Sequence, residues 1–129
     1  MNTDRSVLIV DRSADTREVL RTALARQGVR VFEASACSQG VSIANEQHPD
    51  VIVVDVDVED VSEAMPAAVE DFSGEAGSQD TPIVILGTAR QKKTAEGSDF
   101  FTKPYHYAPL IRTIEQRLDD AKTSRKRAA

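Results

Sequence analysis

Pro49-Asp50-Val51-Ile52-Val53-Val54-Asp55 places four consecutive β-branched apolar residues after a proline-led turn and closes them with a carboxylate. Apolar residues on successive positions, without alternation, read as a strand covered on both faces, as in a parallel sheet. Working outward, the same kind of run recurs at 6–10, 29–33, 82–86 and 99–102, with 51–55 in the middle. Longer segments of helical spacing separate these runs. The alternation predicts an α/β fold with one five-stranded parallel sheet.

The segments between the runs are read as helices from their punctuation. Asp15-Thr16-Arg17-Glu18 has capping-box spacing, Val19, Leu20, Ala23 and Leu24 form an apolar stripe, and Gly28 stands where a helix end favours a left-handed residue. A second helix is predicted over 37–46, capped by Ser35 or Ala36 and stopped by His48-Pro49, which makes His48 an exit residue. A third covers 62–72. The last starts near Tyr105 and shows Leu110, Ile111, Ile114 and Leu118 on one face before fraying into a basic tail. Between strands four and five only eleven residues, 88–98, are available. A parallel crossover usually takes about a dozen or more, so the fourth helix, around 91–95, is predicted to be shortened.

A chain of 129 residues suits one domain, here residues 1–121, followed by a disordered basic tail over 122–129. The 40% apolar and 29% charged composition argues against a disordered or membrane-embedded chain. No apolar stretch approaches the roughly 20 residues of a membrane span, and no secretory leader is visible, so a cytoplasmic protein is expected. Net charge is −5, and the four basic tail residues Lys122, Arg125, Lys126 and Arg127 leave −9 on the preceding chain. Such an acidic body argues against nucleic-acid binding. Cys37 stands alone, which excludes an internal disulfide or a zinc site built on paired cysteines; a small, wholly or partly buried thiol is expected.

Three of the runs lead into a charged residue: Asp11, Asp55 and Lys103. In a doubly wound, flavodoxin-like sheet of order 2-1-3-4-5, with helices on both faces, strands one and three are neighbours about 4.8 Å apart. Asp11 and Asp55 then face each other at the switch point where such folds bind ligands. Lys103 supplies a cation on a flexible stem, which makes the edge suited to phosphate and Mg²⁺.

Val7-Leu8-Ile9-Val10-Asp11, the stretch 49–55, Thr81-Pro82-Ile83-Val84-Ile85-Leu86 and Asp99-Phe100-Phe101-Thr102-Lys103-Pro104, in this order, make the chain resemble a response-regulator receiver domain of two-component signalling over residues 5–120. The resemblance implies a signalling module rather than an enzyme. Asp55 would accept a phosphoryl group from a histidine kinase or phosphotransfer protein in a phosphorelay. Mg²⁺ would be held by Asp11, Asp55 and the carbonyl of Asp57; Lys103 and Thr88 would contact phosphate; Phe100 would be the aromatic switch. The signal would leave through contacts with another, unidentified protein.

The chain departs from the family pattern at particular positions. Arg12 stands where the family has a second acid; turned inward it would reduce the negative charge that attracts Mg²⁺, and turned outward it would reach solvent. Thr88 falls one residue beyond the usual switch hydroxyl, a shift that a bulge at Gly87 would correct. The loop after Asp55 lacks the usual proline and glycine. These departures favour one rival reading, a degenerate pseudo-receiver that binds protein without phosphorylation. A more distant rival is a haloacid-dehalogenase-type phosphatase built on Asp55-Val56-Asp57, although that motif here lies mid-chain rather than on a first strand. An EF-hand loop from Asp55 fails because Asp60 occupies the position that requires glycine.

Overall fold

The structure, a computed structural model, describes residues 5–55, 81–87 and 99–128. The helices expected over 62–72 and 91–95, Asp57, Thr88 and the side chain of Cys37 lie outside the described residues. Five parallel strands, β1 (Ser6–Val10), β2 (Arg30–Ala34), β3 (Val51–Asp55), β4 (Ile83–Gly87) and β5 (Asp99–Thr102), lie in the order β2-β1-β3-β4-β5. Helices α1 (Ala14–Ala25) and α3 (Tyr107–Ala128) cover one face and α2 (Cys37–Gln47) the other. This is the doubly wound, flavodoxin-like arrangement expected from the sequence.

Strand alternation sends the consecutive apolar residues to two cores. Val7, Ile9, Val51, Val53, Val84 and Leu86 pack with Leu20 and Leu24 of α1 and Leu110, Ile114 and Leu118 of α3. Leu8, Val10, Ile52, Val54 and Ile85 turn the other way, onto Ala44, Val41 and Ile43 of α2. Every residue of β1, β3 and β4 is buried, which is why these stretches show no polar alternation. The outer strand β5 is only half-buried and is held to α3 by Arg117, which donates to both carboxylate oxygens of Asp99 at 2.7 and 3.0 Å.

Several boundaries differ from the sequence reading, each for a local reason. The first helix starts at Ala14 and is capped by Ser13, whose Oγ accepts from Thr16 N–H at 3.2 Å, not by Asp15. Asp11 is the cause: its Oδ1 accepts from Ser13 N–H at 2.8 Å, a turn that delivers Ser13 to the cap and leaves Asp15 as a charge in the first turn. Strand β2 begins one residue late because Val29 N–H closes α1 on Leu24 O at 3.2 Å. Gly28, at φ 81°, makes the companion bond to Ala25 O, and this pair of bonds is the Schellman ending that glycine permits. Strand β4 also starts one residue late, after Pro82, and runs through Gly87 in continuous register with β5, without a bulge in that span. Ala36, not Ser35, caps α2, with no side-chain bond; His48 ends it in the left-handed region at φ 48°. The last helix starts at Tyr107 rather than Tyr105, and its backbone stays helical to Ala128, into the stretch expected to be a disordered tail. No described helix is long and apolar enough to cross a membrane.

The cap assignment makes a prediction. Ser13→Ala should cost about 1 kcal/mol in denaturant unfolding, and Asp15→Asn a few tenths, about the low end of a first-turn charge effect. A larger loss at Asp15 would place the cap there instead.

Candidate functional site

The site forms because register brings the strand ends level. At the start of β3, Asp50 donates its N–H to Ser6 O at 2.9 Å and accepts from Ser6 N–H through Oδ2 at 2.8 Å. Val7 pairs with Val51 and Val10 with Val54, so the next residues, Asp11 and Asp55, emerge side by side. Asp11 continues the ladder by donating its N–H to Ala34 O at 3.0 Å. Across the sheet, Lys103 N–H donates to Gly87 O at 2.8 Å, just past the end of β5. Strand β4 stands between Lys103 and Asp55, and its last residue, Gly87, has no side chain to obstruct the lysine stem. The Lys103 ammonium donates to both oxygens of Asp55, at 2.7 and 2.8 Å. The Lys103-Pro104 peptide that follows is cis.

Asp11 and Asp55 are 2% and 7% exposed. Burial pushes the Asp11 carboxyl up from 3.8 to about 6, and the neighbouring Asp55 carboxylate adds to the rise; the Ser13 N–H and Lys103 oppose it. Tyr105 is pushed up to about 12, first by burial and then by Asp11, so its phenol stays protonated. Two carboxylates facing one ammonium leave an excess negative charge among oxygen donors that suit a hard divalent cation. The described residues contain no group of three or more His, Cys, Asp or Glu side chains placed to hold a metal. Asp11 and Asp55 are the two described carboxylates in this cleft that could offer oxygens to such a cation.

The structure brings Asp11, Asp55 and Lys103 together in an open cleft of about 500 Å³, lined also by Ser13, Thr16, Pro104, Tyr105 and Tyr107. Arg12 is exposed and is not among the cleft's described lining residues. Phe100 is half-buried against the α2-side core, on the opposite face of the sheet from Tyr105. Sequence reasoning missed the rim. Tyr105 and Tyr107 stack edge-on with ring centroids 5.8 Å apart, and the Tyr107 hydroxyl lies 3.5 Å from Thr16 Oγ1. The visible signal was the pair of tyrosines just after Lys103-Pro104, of which the sequence reading used only Tyr105, as the expected start of the last helix.

A family model described as the response regulator receiver domain matches residues 7–115. Protein PilH of Pseudomonas aeruginosa is 28% identical over 119 residues, covering 84% of this chain and 93% of PilH. The KDP operon transcriptional regulatory protein KdpE of Escherichia coli is 28% identical over 111 residues, covering 81% of this chain but 47% of KdpE; the chain spans about half of that relative. Among solved structures, the chemotaxis response regulator CheY4 of Vibrio cholerae superposes with a TM-score of 0.73 at 24% identity, covering 89% of this chain and 99% of that one. The receiver domain of the sensor histidine kinase PA1611 of P. aeruginosa, solved with magnesium coordinated in its active-site cleft, gives a TM-score of 0.72 at 20% identity, covering 89% of this chain and 98% of that one. At these identities the two structural matches show the fold.

Proposed function

The chain belongs to the response regulator receiver family of two-component systems, and on that premise we propose that Asp55 accepts a phosphoryl group from the phosphohistidine of a histidine kinase or phosphotransfer protein. An Asp55 oxygen would attack phosphorus while the phosphorus–nitrogen bond breaks, leaving an acyl phosphate on Asp55 and a neutral imidazole on the donor once it takes up a proton. The supporting observation is the two-point contact of Lys103 on a buried Asp55 beside Asp11, at the sheet edge where ligands bind. Phosphoryl transfer needs alignment and charge neutralisation more than covalent assistance, and the Lys103 ammonium beside the two carboxylates would contribute to both. Lys103 would move from the Asp55 carboxylate to a phosphoryl oxygen as the group arrives.

Asp11 and Asp55, with the backbone carbonyl of Asp57, would hold Mg²⁺. When bound, the ion would offset the negative charge of the phosphoryl oxygens. Thr88 would contact the phosphoryl group, and Phe100 would report its presence to the α2 side of the sheet. The output is contact with another protein, in keeping with a cytoplasmic signalling module rather than an enzyme.

Incubation with Mg²⁺ and acetyl phosphate, followed by intact mass measurement, tests this reading. One added phosphoryl group is expected, and none in Asp55→Ala. A wild-type protein that takes up no phosphoryl group, and whose unfolding midpoint ignores Mg²⁺, would overturn it in favour of a phosphorylation-independent binding module.

A further inference from the structure

Outside the ladder and the cleft, one side chain grips the backbone of the site itself. Arg17, in α1, donates through Nη1 to the carbonyl of Asp11 at 2.6 Å and through Nε to Glu33 Oε1 at 3.2 Å. Glu33, in β2, receives Arg21 Nε on its second oxygen, also at 3.2 Å. The Arg17 side chain is 18% exposed and that of Glu33 33%. The guanidinium is thus enclosed enough to hold its direction, and a charge-assisted bond of this length is a strong one.

The position of the gripped carbonyl gives this contact its consequence. Asp11, the residue just after β1, extends the ladder through its N–H to Ala34 O, and its C=O accepts from Arg17. With Oδ1 accepting from Ser13 N–H, both backbone groups and one carboxylate oxygen of Asp11 are held, and its side chain lines the cleft beside Asp55. The peptide joining residues 11 and 12 is planar, so a fixed Asp11 carbonyl also fixes the Arg12 N–H on the opposite side. That plane sets the 11–13 turn, in which the Asp11 side chain is buried and Arg12 is exposed.

We infer that Arg17, locked by Glu33, is a positioning residue for the phosphorylation cleft, holding the 11–13 turn so that Asp11 enters the cleft while Arg12 stays on the surface. The inference rests on the phosphoacceptor reading of Asp55 for its functional consequence but not for its structural one. Arg17 touches no reacting atom. It acts through the backbone of Asp11, and partners of this kind typically change metal affinity or activity by roughly 10–100-fold when removed.

The test uses the full chain as wild type, Arg17→Gln, Arg17→Lys, Glu33→Gln and, as an exposed control at the C-terminal cap of α1, Arg26→Gln. Backbone amide NMR of the metal-free proteins comes first. The Arg12 and Ser13 amides should shift strongly in Arg17→Gln, less in Arg17→Lys and Glu33→Gln, and not in Arg26→Gln. Phosphoryl uptake from acetyl phosphate is then followed against Mg²⁺ concentration. Arg17→Gln should raise the half-saturating Mg²⁺ concentration by about tenfold, Arg17→Lys should recover part of it, and Arg26→Gln should match wild type. Unmoved Arg12 and Ser13 amides in Arg17→Gln, or an unchanged Mg²⁺ dependence in a folded Arg17→Gln that takes up phosphate, would overturn the inference. If the wild type takes up no phosphoryl group, the phosphoacceptor reading fails by itself, and the amide shifts still decide whether Arg17 sets the turn.

Discussion

Asp11→Asn is expected to stabilise the metal-free protein by about 2 to 3 kcal/mol at pH 8 and to remove a pH dependence of stability that the wild type shows between about pH 4 and 6. Asp11 is 2% exposed, and its carboxyl is raised from 3.8 to about 6, first by burial and then by Asp55. An acid raised in this way binds its proton more tightly folded than unfolded. Its folded-state penalty is therefore absent below about pH 4, grows as pH climbs through the interval, and is complete above about pH 6. A rise from 3.8 to about 6 corresponds to roughly 3 kcal/mol. Asparagine keeps an oxygen for the Ser13 N–H and replaces the repelling carboxylate with an amide that can donate to Asp55. Urea unfolding in EDTA at pH 4.5 and pH 8 measures the difference. Equal stability of the two proteins at pH 8 would mean that burial of the Asp11 charge costs nothing.

The same experiment separates stability from function, because the carboxylate that destabilises the metal-free fold is the one that suits a cation. Adding Mg²⁺ at pH 8 should raise the wild-type midpoint and leave that of Asp11→Asn nearly unchanged, since ligand binding to the folded state adds stability only where the site exists. Strained or uncompensated groups of this kind gather at functional sites, and here the sheet supplies the compensating stability through strands whose every residue is buried.

Much of this arrangement was legible in the sequence, for a physical reason. Consecutive apolar residues at 7–10, 51–54 and 83–86 have one reading in a domain of this size, a sheet covered on both faces, and parallel strands put all their C-terminal ends on one edge. Asp11 and Asp55 follow from that, and Lys103 from the shorter run at 99–102 ending on the same edge. Less legible were features set by single backbone bonds. Val29 has an apolar strand-like side chain, but its N–H closes α1, so β2 starts at Arg30. The acid at position 15 sits in a capping-box pattern, yet Asp11 two residues before Ser13 captures the turn and moves the cap forward. The last helix was expected to start near Tyr105; it begins only at Tyr107, and the rings of both tyrosines line the cleft. Arg17 resembled any charged residue on an exposed helix face, because its partner is a carbonyl, and a carbonyl leaves no trace in the sequence.

Lys103→Met should lower phosphoryl uptake by about two to three orders of magnitude, the scale of losing one preorganised charge at a transferring group, and should also cost stability. The wild-type ammonium stands 2.7 and 2.8 Å from the two oxygens of Asp55. Methionine fills most of the stem's volume but leaves two buried carboxylates facing each other without that cation. Removing one partner of a fully buried pair costs about 3 to 5 kcal/mol; the Lys103 side chain is 30% exposed, and solvent screening should reduce the loss to about 1 to 2 kcal/mol. The loss should be smaller at pH 5, where Asp11 is largely protonated, than at pH 8. Lys103→Arg separates the two effects: its fork can still pair with both oxygens of Asp55, so stability should return, but a planar, longer cation cannot reproduce the point charge that must move onto the phosphoryl group. Stability measured with uptake from acetyl phosphate should thus give a methionine variant deficient in both and an arginine variant deficient in uptake alone. A methionine variant that takes up phosphate at the wild-type rate would remove Lys103 from the chemistry and leave its contact with Asp55 a structural ion pair.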